Sequence, residues 1–224
     1  MKQPIALTHP TPYALACASA LLLLAGSAFA GRPLNVDDAS VNDKGKGHVE
    51  AWVTRGDGVS IYSVAPAYAP IEGLEIGGLI ARENETKLNI TGLQAKWRIT
   101  PSQDKGCNVG AILGFSRVSV AGASANGQGL TGLFTCNGIG GGSAHLNVGM
   151  DRVSGGDTTS RWGLAYERSF GGITPHIEWY GSEGSKPTVG IGVRGMVTDS
   201  LQLDGSVGRG DGLTVYTLGA KLTF

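Results

Sequence analysis

From residue 143 onward, apolar and polar side chains exchange places at almost every step. In "AHLNVGMDR", Ala144, Leu146, Val148 and Met150 share one face of an extended chain, while His145, Asn147, Gly149 and Asp151 share the other. The division follows because successive strand side chains point to opposite sides. "RWGLAYER" sets Trp162, Leu164 and Tyr166 against Arg161, Gly163, Ala165 and Glu167, and "ITPHIEWY" sets Ile173, Ile177 and Trp179 against Thr174, His176, Glu178 and Tyr180. "TVGIGVRG" opposes Val189, Ile191 and Val193 to Gly190, Gly192 and Arg194. The first half reads the same way. The pattern predicts twelve strands, near 48–55, 59–67, 71–82, 86–99, 107–119, 128–138, 143–152, 159–169, 172–181, 187–197, 200–208 and 213–224. Their connections form two alternating sets. One is polar and Gly-rich, including "AGASANGQ" at 121–128, and the other is mostly tight, including "YAP" at 68–70.

Ahead of the strands, residues 1–30 carry one charge, Lys2, then "ALACASALLLLAGSA" and Ala28-Phe29-Ala30, the layout of a secretory leader. Cleavage is expected after Ala30, which divides the chain into a signal peptide (1–30), a polar N-terminal segment (31–47) and a strand region (48–224). Past residue 30 no run approaches the roughly 20 apolar residues of a membrane helix. No i, i+3, i+4 repeat lasts long enough for a confident helix either.

Composition sharpens the picture. The chain holds 37 glycines in 224 residues, more than twice the usual share of about 7%, and glycine recurs on the polar side of strand after strand. A secreted β-sandwich shows its polar face to water and has no use for that; a narrow lumen does, since small inward residues leave room. The fold class expected is therefore all-β: a transmembrane antiparallel up-and-down β-barrel of about 12 strands in the bacterial outer membrane, with lipid around it. Loss of Lys2 with the leader leaves 17 basic against 18 acidic residues, a balance that excludes nucleic acid as an expected partner.

The closing "VYTLGAKLTF" puts Tyr216, Leu218, Leu222 and Phe224 on one face. It resembles the C-terminal signal of outer-membrane proteins, and the resemblance implies recognition by the barrel-assembly machinery. "GRPLNVDDASVNDKGKGHVEAWVTR", with "SLQLDGSVGR" and "LGAKLTF", resembles the outer-membrane barrels grouped under the "MetA-pathway of phenol degradation" heading. That resemblance implies a barrel of this size which passes or binds small, often aromatic, organic molecules. It carries no catalytic or binding residues with it.

Candidate chemistry is sparse. Cys107 and Cys136 are expected to face each other across one hairpin, because opposed positions around the loop at 121–128 have numbers summing near 243 to 247; in an oxidising compartment they form a disulfide. Glu50, Glu75, Lys96, Arg98, His145, Asp151, Arg161, Glu167, His176, Glu178, Arg194, Asp204 and Lys221 fall on the polar side. They are the expected lining of a solute path, either as an ion-paired filling or as a polar route with an internal field. Glu167 and His176 are expected to face each other between two strands. His48 falls inward as well, and no His-x-Ser arrangement is present. The sequence calls for no cofactor and no metal. Segment 31–47, with Asp37, Asp38, Asp43, Lys44 and Lys46, either folds into the lumen as a plug or hangs in the periplasm. "RGDG" at 55–58 and 209–212 reads as turn chemistry rather than an adhesion motif.

The expected function is a channel or porin-like protein for small organic solutes, aromatic ones among them, with no enzymatic role. Two alternatives stand beside it. An outer-membrane lipid hydrolase needs a His and a Ser on the lipid-facing wall, which a register shift turning His145 outward supplies; a non-transporting barrel serves as an anchor.

Overall fold

The structure, a computed structural model, describes residues 34–224; the leader expected over 1–30 lies outside the described residues. Twelve strands follow one another: β1 Gly47–Gly56, β2 Val59–Ile71, β3 Leu74–Glu83, β4 Asn89–Arg98, β5 Gly106–Val120, β6 Ala123–Ile139, β7 Gly142–Val153, β8 Thr158–Glu167, β9 Ile173–Ser182, β10 Thr188–Met196, β11 Leu201–Gly210 and β12 Leu213–Thr223. Each pairs antiparallel with its chain neighbours, and β1 pairs with β12, so the sheet is a closed barrel. The seam runs from Arg55↔Tyr216 to His48↔Thr223. The terminal residue finishes it, since the Gly47 and Phe224 amides each donate to the other's carbonyl at 2.9 Å. Closure leaves no edge strand, the condition for crossing hydrocarbon with strands.

The two faces differ in chemistry. Leu93 is 65% exposed and Leu218 66%, whereas Lys96 is 5% exposed and Glu178 2%. A charged ring interior inside an apolar exterior is stable only with lipid outside, which puts the barrel in the outer membrane. On the outer wall Trp162 and Trp179 meet edge to face at 4.8 Å between ring centroids. Inward positions are not uniformly polar, however. Leu79, Ala81, Ile90 and Val118 pack together inside with Leu88, and Ile112 packs with Leu133. Alternation on β3–β6 is therefore weaker than on β7–β12, because both faces of these strands carry apolar residues.

Two connections depart from expectation. The loop expected at 121–128 is only the turn Ala121-Gly122, since β5 and β6 stay paired up to Val120↔Ala123. Small polar residues mark loops by composition, but strand beyond the hydrocarbon needs only backbone pairing. At about 3.3 Å per residue, the 17 residues of β6 run about 55 Å, well past the 9–11 residues that span a bilayer. The turn expected at "YAP" is strand as well; the chain turns at Glu72-Gly73 instead. Pro66 and Pro70 sit where β2 pairs loosely with β3: Ala65 and Pro66 have no register partner there, and the register shifts between Tyr68 and Ile71. Nor does one end carry systematically longer loops, because strand extension has shortened the outer ones. Both Asp-Gly pairs expected as turns are turns, with positive φ at Asp57 and Gly58 and at Asp211 and Gly212, the backbone of a type I′ hairpin.

Cys107 and Cys136 are register partners and form the disulfide, with Cα atoms 4.0 Å apart.

Candidate functional site: the lumen wall and the N-terminal segment

The thirteen residues expected to line the interior all lie on the inward side of their strands, buried or half-buried. Several pair within the wall. Lys221 meets Glu50 at 3.1 Å, Arg161 meets Asp151 at 3.1 Å, and Arg194 meets Glu167 at 2.8 Å. His48 stands 3.6 Å from Glu50. Arg98 turns to Glu72 in the β2–β3 turn, so it belongs to the rim rather than the interior network. Asp204 stands opposite Arg194 in register. Glu167 and His176 are opposed as expected, but the Glu167 carboxylate reaches Arg194 and, at 3.6 Å, His145. His145 is 3% exposed inside the barrel, with its Nδ1 3.0 Å from Thr135 Oγ1. The register shift that a lipid hydrolase requires is not made.

Glycine's role on the inner face is spatial. Gly192 is opposite His176 and Gly190 opposite Glu178; a Cβ on Gly192 would lie 2.5 Å from the imidazole, and one on Gly190 3.0 Å from the Glu178 side chain. Large inward groups on β9 fit because β10 has none facing them. This small-against-large matching fills a barrel too narrow for side chains from every strand.

Of the two arrangements open to the N-terminal segment, the described part, from Leu34, adopts the lumenal one. Glu178 accepts hydrogen bonds from the Asn35 amide at 2.6 Å, the Asn35 side chain at 2.6 Å and the Val36 amide at 3.2 Å. Asn147 Oδ1 accepts from the Asp37 amide at 2.7 Å, and its Nδ2 donates to the Asp37 carbonyl at 2.8 Å. Thr135 Oγ1 accepts from Ala39 at 2.9 Å and Glu75 from Asn42 at 3.0 Å. Lys96 donates to Asp37 at 2.8 Å and lies 3.6 Å from Asp38. Leu34 and Val36 pack against Ala165 and Tyr180, and Ala39 against Ile112 and Leu133. A Cβ on Gly163 would lie 2.7 Å from Val36 Cγ2. Burial pushes the Asp38 carboxyl up, but Lys96, His145, the Ser40 amide and Lys221 more than offset it and hold the group at about 2. Beside the segment, a cavity of about 160 Å³ is bounded by Ser40, Asn42, His48, Glu50, Glu75, Lys96 and Lys221, among others.

Sequence reasoning singled out Glu178, Lys96 and Glu75 but missed Thr135, Asn147 and Gly163 as contacts of this segment. Asn147 and Gly163 were legible as inward positions; nothing in the pattern named what they face. Among the described residues no group of His, Cys, Asp and Glu is placed to hold a metal ion.

No family model and no curated protein matches this chain. Solved structures do. A KdgM porin in complex with disordered oligogalacturonate superposes with a TM-score of 0.67 at 13% identity, over 79% of this chain and 99% of that one. The NanC porin gives 0.57 at 10% identity over 79% and 98%. The outer membrane protein Omp33 of Acinetobacter baumannii gives 0.53 at 9% over 81% and 99%. At such identities the likeness is one of fold, and the chain has the fold of a porin-like outer-membrane barrel.

Proposed function

We propose that this protein is a porin-like channel for small polar solutes whose lumen is held closed by its own N-terminal segment. The observation carrying this reading is an interior of buried charges of both signs, with several wall residues paired to the segment rather than to one another. Such a wall suits charged or hydrogen-bonding solutes, because opposed charges set a transverse field across a narrow passage. The resemblance of the N-terminal stretch to barrels of the phenol-degradation heading extends the candidates to aromatic acids, which carry a carboxylate for Lys96. The same plug also suits a sealed anchor. The two separate in planar bilayers: a channel conducts in discrete steps, at least in brief openings, and full silence in every salt and solute tried, including with the segment deleted, would leave the anchor.

The outward face of β12 offers Tyr216, Leu218 and Leu222, with Phe224 just past the strand, 60%, 66%, 49% and 61% exposed. We propose this stripe as the contact for the barrel-assembly machinery. Phe224→Ala is expected to lower the amount of heat-modifiable barrel in outer-membrane fractions severalfold, and an unchanged amount would remove the stripe from that role.

A further inference from the structure

The wall reads the N-terminal segment mainly through its backbone. Amides of five segment residues, Asn35, Val36, Asp37, Ala39 and Asn42, donate to side chains from four different strands: Glu178, Asn147, Thr135 and Glu75. One contact is two-pronged. The Asn147 side-chain amide meets both the N–H and the C=O of Asp37, at 2.7 and 2.8 Å. A single peptide residue presents that donor and acceptor side by side; the carboxylate of an aromatic acid supplies acceptors only, and adjacent sugar hydroxyls, which can supply both, carry no side chains for Lys96 and the space over Gly163. Backbone reading of this kind recognises main chain largely irrespective of sequence, and pockets for individual side chains add preference. Here the preferences are Lys96 for an acidic side chain and the space over Gly163 for a branched apolar one.

Charge argues the same way. Glu50, Asp151 and Glu167 are each paired with a cation of the wall. Lys96, 5% exposed, has its carboxylate contacts, Asp37 and Asp38, on the segment. When the segment leaves, Glu75, its register partner, is the wall carboxylate that remains near this ammonium, and an entering anion can take the places of Asp37 and Asp38.

We propose that the lumen is a binding site for acidic oligopeptides that take up the bent course of residues 34–42, its resident ligand. The proposal rests on the porin-like reading for entry from solution, and it names the class of solute. A tethered segment acts at an effective concentration in the range of mM, so free peptide competes poorly with the intact chain. The test therefore weakens the segment and leaves the wall alone.

In full-length protein carrying Val36→Gly and Asp37→Ala, purified in detergent, binding of a fluorescein-labelled peptide of sequence LNVDDASVN is read by anisotropy. Block of conductance by the same peptide is read separately in planar bilayers. Saturable binding is expected, along with weaker binding to the unaltered protein. N-methylation of the peptide at its first aspartate, which removes one N–H without altering charge, is expected to weaken binding roughly tenfold. Lys96→Met, checked for folding by heat-modifiable migration, is expected to weaken it by a similar factor. Equal binding of the N-methylated peptide would overturn the proposal, as would equal competition by an acidic oligosaccharide of the same charge. Conductance without peptide block or binding would overturn the peptide site and leave the channel. Peptide binding without conductance would do the reverse.

Discussion

Replacing Leu93 by arginine is expected to destabilise the barrel by about 2–4 kcal/mol, the cost of a cationic side chain facing hydrocarbon near the middle of the bilayer. Leu93 is 65% exposed, lies midway along β4 and pairs with Gly78 and Phe115. Its neighbour Gln94 is 8% exposed and faces the interior. Gln94→Arg is then the paired control: one position away, the same new charge enters a polar lumen lined there by Glu75 and Lys96, and costs less. Urea titration of the protein refolded into lipid vesicles measures both. If the two substitutions cost the same, the assignment of faces on β4 is wrong, and because strand side chains alternate, a slip of one residue reverses every face of that strand.

Deleting residues 34–43 is expected to raise single-channel conductance severalfold. The deletion removes Leu34, Val36 and Ala39, which fill inward pockets, and Asp37 and Asp38, which hold Lys96. It removes no strand residue and breaks none of the wall's ion pairs between β12 and β1, β7 and β8, or β8 and β10. Water entering the vacated lumen solvates Lys96, so the barrel is expected to remain folded. A complementary substitution keeps the segment and denies it room: a Cβ at Gly163 would lie 2.7 Å from Val36 Cγ2, so Gly163→Leu is expected to shift the segment and lengthen openings. Conductance identical in the deleted and intact proteins would show that the segment does not limit the path.

Much of this architecture was readable from the chain. On β7–β12 the contrast between positions such as Met150 and Asp151, or Trp179 and Glu178, identifies the inward and outward faces, because period-2 alternation is a local property of extended backbone. The Cys107–Cys136 pair was within reach as well, since opposed positions with sums near 243 to 247 include 107 with 136; the turn at Ala121-Gly122 then fixes the register that makes them partners. Boundaries were less legible. The 121–128 stretch reads as loop by composition, yet Ala123–Gln128 is strand; its partners on β5 decide that, not its own residues. Tyr68-Ala69-Pro70 reads as a turn from sequence, whereas the looseness of the β2–β3 ladder there lets strand continue.

The lumen's contents lay beyond the reach of sequence altogether. That Glu178 is inward follows from alternation; that it takes the amides of Asn35 and Val36, 143 and 142 residues away, follows only from closure of the ring. Periodicity records which side of a strand each residue occupies, and so the sequence alone determined a membrane barrel of about twelve strands and the faces of its later strands, and allowed its disulfide. Which inward groups meet across the interior depends on the curvature of all twelve strands at once. That long-range geometry decided that Lys96 is held by the N-terminal segment, that Glu167 goes to Arg194 and His145 rather than His176, and that Gly163 stands open because Val36 fills the space.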